Sequence, residues 1–434
     1  MAIRLKKGFW LLLILLLAVG AGYTYINYWD TDEPVIHVDP EVRYTNAERL
    51  FDIQIHDQGL GLKNVEVQVV QDGQVKKTFQ EEIDPGINDM QFTMELPRLD
   101  QGSFELQVRA VDRSIVNWGR GNESLVTREM IFDSIPPSIS LISAVHNLNQ
   151  GGAGLVIYSL SKEAEKTGVK LGDYFFPAFR KPDGNYYCIF SFAYNADTQR
   201  DVPRVTAVDR AGNRQVSGFN YHVNSRSFRQ ADLNINDEFL RSQMPQFESR
   251  YPDESDPLEI FLRVNRDLRE QNRSKVQEIA SRTSANFRVQ GALLRKPSAF
   301  MAGYADHRTY FYDGEEIDQQ VHLGVDLAST AQAPVPAAER GEVVFTGDLG
   351  IYGQTVILDH GLGLQTLYAH LSSIDVRDGQ EVSRGDHIGR TGTTGLAVGD
   401  HLHFEVLVSG LPVNPAEWWD GTWLENNIFS KLRD

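Results

Sequence analysis

The chain has 434 residues, of which 41% are hydrophobic and 23% are charged. At about 150 residues per domain, this length predicts roughly three domains, and the composition argues against a mostly disordered chain and against a membrane protein with many spans. Acidic residues outnumber basic ones 59 to 42, which gives a formal net charge of -17. Such a charge repels phosphate backbones and argues against nucleic acid as a partner.

An apolar segment follows a basic stretch at the N-terminus. Three basic residues within 1–8 precede the run FWLLLILLLAVGAGY, which starts at Phe9, and acidic residues follow from Asp30. Residues 9–29 supply the roughly 20 apolar residues that a spanning helix needs, and the charge order predicts a cytoplasmic tail at 1–8. We expect a single-pass signal anchor in the inner (cytoplasmic) membrane, with the bulk of the chain in the periplasm or exported space. A cleaved signal peptide and a buried core helix are the alternatives.

The next part of the chain alternates apolar and polar residues in short runs between turn residues, as half-buried strands do. The segment VRAVDR at 108–113 recurs as VTAVDR at 205–210. Because about 100 residues make one immunoglobulin-like sandwich, we expect two such domains, at 35–135 and 136–225. We interpret them as spacers that hold the far end of the chain off the membrane. Ligand binding, as in a surface adhesin, is the alternative.

The pattern then changes to that of amphipathic helices, in which Phe261, Val264 and Leu268 follow one stripe. We therefore predict a helical connector at 226–295, either packed on a neighbouring domain or acting as a regulatory arm. Short strands between glycine turns return at 296–420 and predict an antiparallel β domain, before a C-terminal tail at 421–434. The predicted fold class is a mostly β, multidomain chain with an N-terminal transmembrane helix.

Histidines and carboxylates are concentrated in the last third of the chain. Residues 301–434 contain seven of the 11 histidines, and 20 acidic residues against 7 basic ones. A catalytic zinc takes three protein ligands from histidine and carboxylate side chains and leaves a position for water. It lowers the pKa of that water toward about 7 and polarises a scissile carbonyl. This region is therefore the candidate for a zinc site.

Two short segments support the zinc hypothesis. HLGVD places His322 and Asp326 four positions apart, and HLH places His401 and His403 two apart. Residues at even offsets share one face of a β-strand, so each segment, as a strand, would have one polar and one apolar face. These four side chains are candidates for three ligand positions and a general base, and His370 in YAHL is a candidate to stabilise an oxyanion.

Taken in order, HLGVD, YAHL and GDHLHFEV resemble the motifs of the lysostaphin-like (LytM-type) zinc metallopeptidases, which cut peptide bonds in bacterial peptidoglycan. The resemblance covers about residues 296–419. It implies one Zn²⁺ per catalytic domain, with His322, Asp326 and His403 as ligands. It further implies that His401 is the general base and that His370 hydrogen-bonds the tetrahedral oxyanion or orients the attacking water.

The resemblance implies a zinc metalloendopeptidase that hydrolyses peptide stems or cross-links of peptidoglycan during cell-wall remodelling. A cell-wall hydrolase or a protein of the division machinery is a candidate partner. The alternative function is a non-catalytic regulator that activates a separate cell-wall hydrolase, but the complete set of matching residues favours an enzyme. Residues 302–320 are longer and more acidic than the compact arginine-bearing turn often found before the first ligand, which bears on substrate preference.

Overall fold

The computed structural model describes residues 2–433, with side chains from residue 9 onward. Met1 and Asp434, the outermost residues of the two predicted tails, lie outside the described residues. The chain divides into two compact units, Met1–Pro137 with Val208–Arg214, and Ser138–Ala207 with Gln215–Asp434. Strands predominate and an apolar helix begins the chain, which confirms the predicted mostly β class.

The first unit begins with helix α1 (Ala2–Tyr28), in which Phe9–Tyr28 form a 20-residue apolar segment. That length suffices to cross a membrane. Both a membrane anchor and a signal sequence fit this length and composition.

The rest of the first unit is built from two sheets. Its elements are β1 (Val35–Asp39), β2 (Tyr44–Thr45), β3 (Leu50–His56), β4 (Leu62–Gln71), β5 (Gln74–Glu82), β6 (Asp89–Glu95), β7 (Gly102–Asp112), the short helical turn α2 (Val116–Gly119) and β8 (Glu123–Phe132). Strands β1, β3 and β6 form one sheet, and β2, β8, β7, β4 and β5 form the other. Alternate residues of facing strands, such as Ile53 and Val67, are buried in one shared core. Alternation of this kind is what the pleat of a half-buried strand produces.

The repeated motif ends a strand in both copies in the same way. Asp112 accepts hydrogen bonds from the backbone N of Asn122 at 2.6 Å and from its side-chain amide at 2.7 Å. Asp209 accepts the corresponding bonds from Asn213 at 2.9 and 3.0 Å. Each aspartate therefore satisfies backbone donors of a turn that would otherwise be unpaired.

The second unit opens with two further sheets. The strands are β9 (Ile139–Leu141), β10 (His146–Asn149), β11 (Gly152–Leu160), β12 (Lys166–Leu171), β13 (Tyr174–Pro177), β14 (Phe179–Arg180), β15 (Tyr186–Phe192), β16 (Arg204–Val208), β17 (Arg214–Gly218) and β18 (Tyr221–Asn224). The sheet orders are β14-β15-β11-β9 and β13-β12-β16-β17, and β10 pairs with β18. Cys188 is fully buried on β15.

The segment predicted as a helical connector contains a strand before its helices. Its elements are β19 (Gln230–Ile235), α3 (Asp237–Gln243), a 3₁₀ helix (Met244–Arg250), α4 (Pro257–Arg263), a π-helical turn (Val264–Leu268) and α5 (Arg269–Ala280). Along β19, Ala231, Leu233 and Ile235 alternate with exposed polar residues, a period of two that marks a strand. Asp256 caps α4, since its carboxylate accepts a hydrogen bond from the backbone N of Leu258 at 2.9 Å.

The C-terminal part consists of antiparallel strands and short terminal helices. The elements are β20 (Ala299–Ala302), β21 (Asp306–Tyr312), β22 (Glu315–His322), β23 (Val325–Ala328), β24 (Pro334–Pro336), β25 (Gly341–Asp348), a 3₁₀ turn (Gly350–Tyr352), β26 (Gln354–Gly361), β27 (Leu364–Ile374), β28 (Glu381–Val382), β29 (His387–Thr391), β30 (Leu402–Val408), β31 (Leu411–Val413), α6 (Pro415–Trp419), α7 (Gly421–Leu424), a π-helical turn (Glu425–Phe429) and α8 (Ser430–Arg433). One large sheet runs in the order β20-β23-β30-β27-β26-β25-β28, while β21 and β22 form a separate sheet with β19.

The core of the second unit is continuous from its first sheets to its last helices. Phe190 on β15, Val325 on β23, Trp418 on α6 and Ile428 belong to one cluster of buried apolar residues. Glu417 of α6 reinforces this packing, because its carboxylate accepts hydrogen bonds from the Asn149 side chain at 2.6 Å and from the backbone N of Ala153 at 3.0 Å. Trp418 is thus a core residue.

Candidate metal centre

The predicted ligands are brought together by strand pairing. His322 is the last residue of β22, Asp326 lies on β23, and His403 lies on β30. Asp326 is directly opposite His403 in the antiparallel β23–β30 ladder. HLGVD is not one continuous strand, because Leu323 and Gly324 separate β22 from β23. A Cβ atom at Gly324 would lie 2.6 Å from the His403 ring, so glycine lets the imidazole approach the backbone.

Three ligand atoms converge at a single point. His322 Nε2 lies 3.0 Å from His403 Nδ1 and 3.1 Å from Asp326 Oδ1, and His403 Nδ1 lies 2.9 Å from the same oxygen. The three side chains are largely buried. Atoms held at these separations can share one coordination sphere, since zinc takes nitrogen and oxygen ligands at about 2.0–2.2 Å.

The hydrogen bonds behind the ligands indicate which atoms carry lone pairs. His322 Nδ1 lies 2.8 Å from the carbonyl oxygen of Gly303, which can only accept, so Nδ1 donates and Nε2 is unprotonated in the neutral ring. His403 Nε2 donates to Glu405 Oε1 at 3.0 Å, which leaves a lone pair on Nδ1. Two lone pairs and a carboxylate oxygen thus face one another. A cation between them removes that repulsion, and this donor set fits zinc.

The charges around the centre favour a bound cation. Burial alone would raise the pKa of Asp326, but the neighbouring His322, His401 and His403 outweigh burial and hold it well below its usual value. Burial lowers the pKa of His403, yet hydrogen bonds to Asp326 and Glu405 raise it overall. In the metal-free chain, His403 can therefore hold a proton where zinc would otherwise supply the positive charge. Zinc binding then competes with protonation of His403.

A buried ion pair supports His403 from behind. Glu405 is fully buried, and its carboxylate lies 3.2 Å from Arg273 of α5 and accepts a hydrogen bond from Tyr352 at 2.9 Å. Although burial opposes it, the charge of Arg273 together with the His403 hydrogen bond lowers the pKa of Glu405 to about 2. An ionised Glu405 fixes the tautomer of His403 and makes its Nδ1 a better ligand.

Two further histidines border the same point. His401 Nδ1 donates to the carbonyl oxygen of Gly399 at 2.7 Å, and His370 Nδ1 donates to that of Thr394 at 2.8 Å. Both rings therefore keep an unprotonated Nε2 when neutral. Their centroids are 4.9 Å apart, and His401 Nε2 lies 3.6 Å from Asp326 Oδ1. Burial, and then the charges of His403 and His401, lower the pKa of His370 to about 3, so it is neutral at pH 7.

A β-bulge directs His370 toward the centre. The register of β26 and β27 shifts between Gln354 and Val356, so that β27 carries an extra residue near His370. The backbone of His370 has φ +60°, a left-handed conformation that is uncommon outside glycine. Bulges re-aim side chains at functional sites, and here the bulge presents a neutral imidazole whose unprotonated Nε2 can accept a hydrogen bond.

Residues 320–415 match Peptidase family M23. The C-terminal region contains a peptidase M23 domain. This finding confirms the resemblance to the LytM-type enzymes. All five predicted site residues lie inside the matched range.

Relatives of the M23 domain include enzymes that are named for peptidoglycan chemistry. The DD-carboxypeptidase/endopeptidase Mpg of Neisseria meningitidis is 43% identical over 96 residues, which are 22% of this chain and 22% of that protein. The peptidoglycan DD-endopeptidase ShyA of Vibrio cholerae is 45% identical over 93 residues, 21% of this chain and 22% of that one. The chain thus spans about a fifth of the length of these relatives.

Among solved structures, the catalytic domain of lysostaphin from Staphylococcus simulans is 28% identical. The match covers 28% of this chain and 92% of that domain, with a TM-score of 0.25.

The candidate metal centre borders a cavity of about 710 Å³. Its walls come from β19, α3 and α5 of the segment before the M23 domain, as well as from the strands that carry the candidate ligands. The side chains that line it include His322, Asp326, His370, His401, His403, Arg229, Arg269, Arg273 and Arg308. Three of these arginines are already paired, Arg229 with Asp306, Arg273 with Glu405 and Arg308 with Asp326.

Sequence reasoning missed the residues that support the candidate ligands. Arg308 lies on β21, within the stretch noted for its unusual length, and its guanidinium is 3.5 Å from Asp326 Oδ2. Glu405 follows His403 at an even offset on β30, so the parity that groups His401 with His403 also includes Glu405. Arg273, 132 residues before Glu405, carries no comparable signal in the sequence.

Proposed function

We propose that this chain is a zinc-dependent endopeptidase that hydrolyses peptide bonds in peptidoglycan stems or cross-links. The observation that carries the proposal is the convergence of His322 Nε2, Asp326 Oδ1 and His403 Nδ1 within 3.1 Å of one another at the base of an open cavity. The peptidoglycan DD-endopeptidases among the relatives of the M23 domain support this substrate class.

His322, Asp326 and His403 would hold the zinc, and His401 and His370 would act on the water and the scissile bond. Zinc, when bound, acts as a Lewis acid that lowers the pKa of water and polarises a carbonyl. His401 Nε2 and His370 Nε2 both carry lone pairs, so either accepts a hydrogen bond from the attacking water. We assign proton uptake to His401 Nε2 and water orientation to His370, because the low pKa of His370 makes it a poor resting donor to an oxyanion.

We further propose that helix α1 anchors the enzyme in the cytoplasmic membrane and that the remaining chain lies in the periplasm or exported space. The 20-residue apolar segment Phe9–Tyr28 supports an anchor. The location agrees with the substrate, since peptidoglycan lies outside that membrane.

Digestion of purified sacculi tests the proposed function. The full chain in detergent is incubated with sacculi of known cross-link type, with and without a zinc chelator, and the released fragments are identified by mass. We expect chelator-sensitive release of fragments cleaved at a peptide bond. His401→Ala should keep its zinc but lose turnover by roughly 10²–10⁴-fold, while the exposed His387→Ala, outside the cavity lining, should retain activity.

The outcome also separates the enzyme from a regulator. A chain that activates a separate cell-wall hydrolase would release no fragments by itself, whether or not the chelator is present. Equal fragment release by the unmodified chain and His401→Ala would refute the assigned role of His401.

A further inference from the structure

Three carboxylates meet in the first unit, far along the sequence from the histidine site. Asp30 follows α1, Asp57 follows β3, and Asp112 ends β7. One carboxylate oxygen from each lies within 4.8 Å of the others. Asp57 and Asp112 are fully buried, and Asp30 is partly exposed.

No cationic side chain from residue 9 to residue 433 balances these carboxylates. Among the side chains that the structure describes, no lysine, arginine or histidine forms an ion pair with Asp30, Asp57 or Asp112 within 4.0 Å. Burial raises the pKa of Asp57, and the charges of Asp112 and Asp30 add to that effect. Buried charges are normally paired or coordinate a metal, so this cluster requires an explanation.

One oxygen of the cluster has no partner at all among the described residues. Asp57 Oδ2 accepts hydrogen bonds from the backbone N atoms of Gly61 at 2.7 Å and Gly59 at 3.1 Å. Asp57 Oδ1 is buried and has no hydrogen-bond donor. It belongs to one of the three carboxyl groups that approach one another. An unsatisfied buried carboxylate oxygen is costly unless a cation binds to it.

The surrounding backbone holds the carboxylates in place. Asp112 Oδ1 accepts hydrogen bonds from the backbone N of Ser114 at 3.0 Å and of Asn122 at 2.6 Å. A Cβ at Gly59 would lie 1.4 Å from Asp30 Oδ2, and one at Gly121 would lie 2.7 Å from Asp112 Oδ1. Glycine at both positions therefore leaves room for the carboxylates to approach the backbone.

The second copy of the repeat provides an internal comparison. Its equivalent pair, Asp209 and Asn213, is contacted by the side-chain amide of Asn46 at 3.3 Å, and Arg49 donates to the carbonyl oxygen of Ala211 at 3.5 Å. The same aspartate–asparagine turn is thus faced by an amide and a guanidinium in one copy and by two further carboxylates in the other. The turn therefore forms in the second copy without Asp30 or Asp57, so their carboxylates are not required to build it.

We propose that Asp30, Asp57 and Asp112 bind a calcium ion that joins the end of α1 to the first pair of sheets. Calcium takes six to eight oxygen ligands, including carboxylates in one- or two-oxygen contact, and tolerates irregular geometry. The ion satisfies Asp57 Oδ1 and neutralises the cluster. Asp30 is the connecting ligand, because its own backbone oxygen already accepts hydrogen bonds from Ser114 Oγ at 2.6 Å and Asn122 Nδ2 at 3.0 Å. This site is independent of the proposed peptidase activity.

Calorimetric titration with CaCl₂ tests the proposal. The zinc-loaded full chain in detergent is titrated in buffer passed over a chelating resin, and MgCl₂ is titrated in a parallel experiment. We expect one calcium equivalent to bind, with weaker binding of magnesium, which demands near-octahedral geometry. Asp57→Asn and Asp30→Asn should each weaken calcium binding roughly tenfold or more. Asp89→Asn, which changes an exposed carboxylate of the same unit, should bind as the unmodified chain does.

Thermal unfolding distinguishes a calcium site from purely structural carboxylates. Without calcium, Asp57→Asn should raise the midpoint temperature of unfolding. The substitution removes one of three like charges, and the NH₂ group of the new asparagine can donate to the neighbouring carboxylates. With calcium, the unmodified chain should be the more stable. Asp30 is partly exposed, so Asp30→Asn decides the question if Asp57→Asn fails to fold. Absence of calcium binding by the unmodified chain, or equal calcium affinity in Asp30→Asn, would overturn the proposal.

Discussion

The histidine centre and the aspartate cluster each bring together three candidate ligands, but with different donor atoms. In the histidine centre, two imidazole nitrogens and one carboxylate oxygen meet, and groups such as Gly303 O and Glu405 support them from behind. In the aspartate cluster, three carboxylates meet, and one buried oxygen is left without a donor. Nitrogen donors with a single negative charge suit zinc, and an all-oxygen set with three charges suits calcium. The donor atoms and their supporting hydrogen bonds, rather than the number of ligands, therefore set the preferred ion.

Removal of a histidine ligand should give the largest effect and should affect one site only. His403→Ala deletes a proposed zinc ligand and removes one of the donors to Glu405, which keeps Tyr352 and Arg273. We expect zinc content to fall from about one ion per chain to near zero, and hydrolysis of sacculi to fall by more than the roughly 100-fold that loss of a supporting residue costs. Metal analysis and fragment release measure the two effects. The calcium titration should be unchanged, and a variant that retains stoichiometric zinc would contradict the ligand assignment.

Neutralising the residue behind a ligand should have a smaller effect. Glu405→Gln keeps the shape of the side chain but weakens the acceptor for His403 Nε2 and removes the countercharge of Arg273. We expect zinc affinity to fall roughly 10–100-fold, as measured by competition with a chelating dye. Glu342→Gln is the matched control, since Glu342 pairs with Arg288 closer to the surface. Equal zinc affinity in Glu405→Gln and the unmodified chain would show that the ion pair is not needed to support His403.

Glu417 differs from the carboxylates of both clusters, because its buried carboxyl group accepts hydrogen bonds from neutral amide donors. Burial raises its pKa from 4.5 to about 7, so the folded chain retains a proton that the unfolded chain releases. Stability should therefore fall by about 3 kcal/mol as the pH rises from about 4.5 to about 7, and then level off. Urea unfolding followed by tryptophan fluorescence at pH 5, 6, 7 and 8 measures this change. Glu417→Gln should flatten the profile in that window, and an unaltered slope would assign the pH dependence to other groups.

Short motifs in the sequence give four candidates for the ligand positions and the base, and the resemblance to the LytM-type enzymes selects three of them as ligands. His322 with Asp326 and His401 with His403 are each separated by a few positions. Strand parity accounts for His401 with His403, whereas His322 and Asp326 lie on different strands, β22 and β23. The bulge and the positive φ that direct His370 could not be predicted, because they depend on pairing between β26 and β27.

The aspartate cluster shows the opposite limit of sequence reasoning. Asp30, Asp57 and Asp112 come from three separate loops, and each by itself is typical of a turn residue. Their proximity depends on how α1, β3 and β7 end in space.

The strand β19 was missed for a different reason. Its short alternating pattern stands directly before helical sequence, and its parallel partner β21 lies more than 70 residues later.

The continuous core of the second unit determines which fragments of the chain keep their apolar surfaces buried. Phe190 and Leu155 of the first sheets pack in the same apolar cluster as Trp418 and Ile428, and Lys431 donates to the carbonyl oxygen of Leu155 at 3.0 Å. A fragment that starts at Lys296 would leave these apolar surfaces facing water. We therefore expect residues 138–433 to be more stable and more soluble as a fragment than one that starts at Lys296.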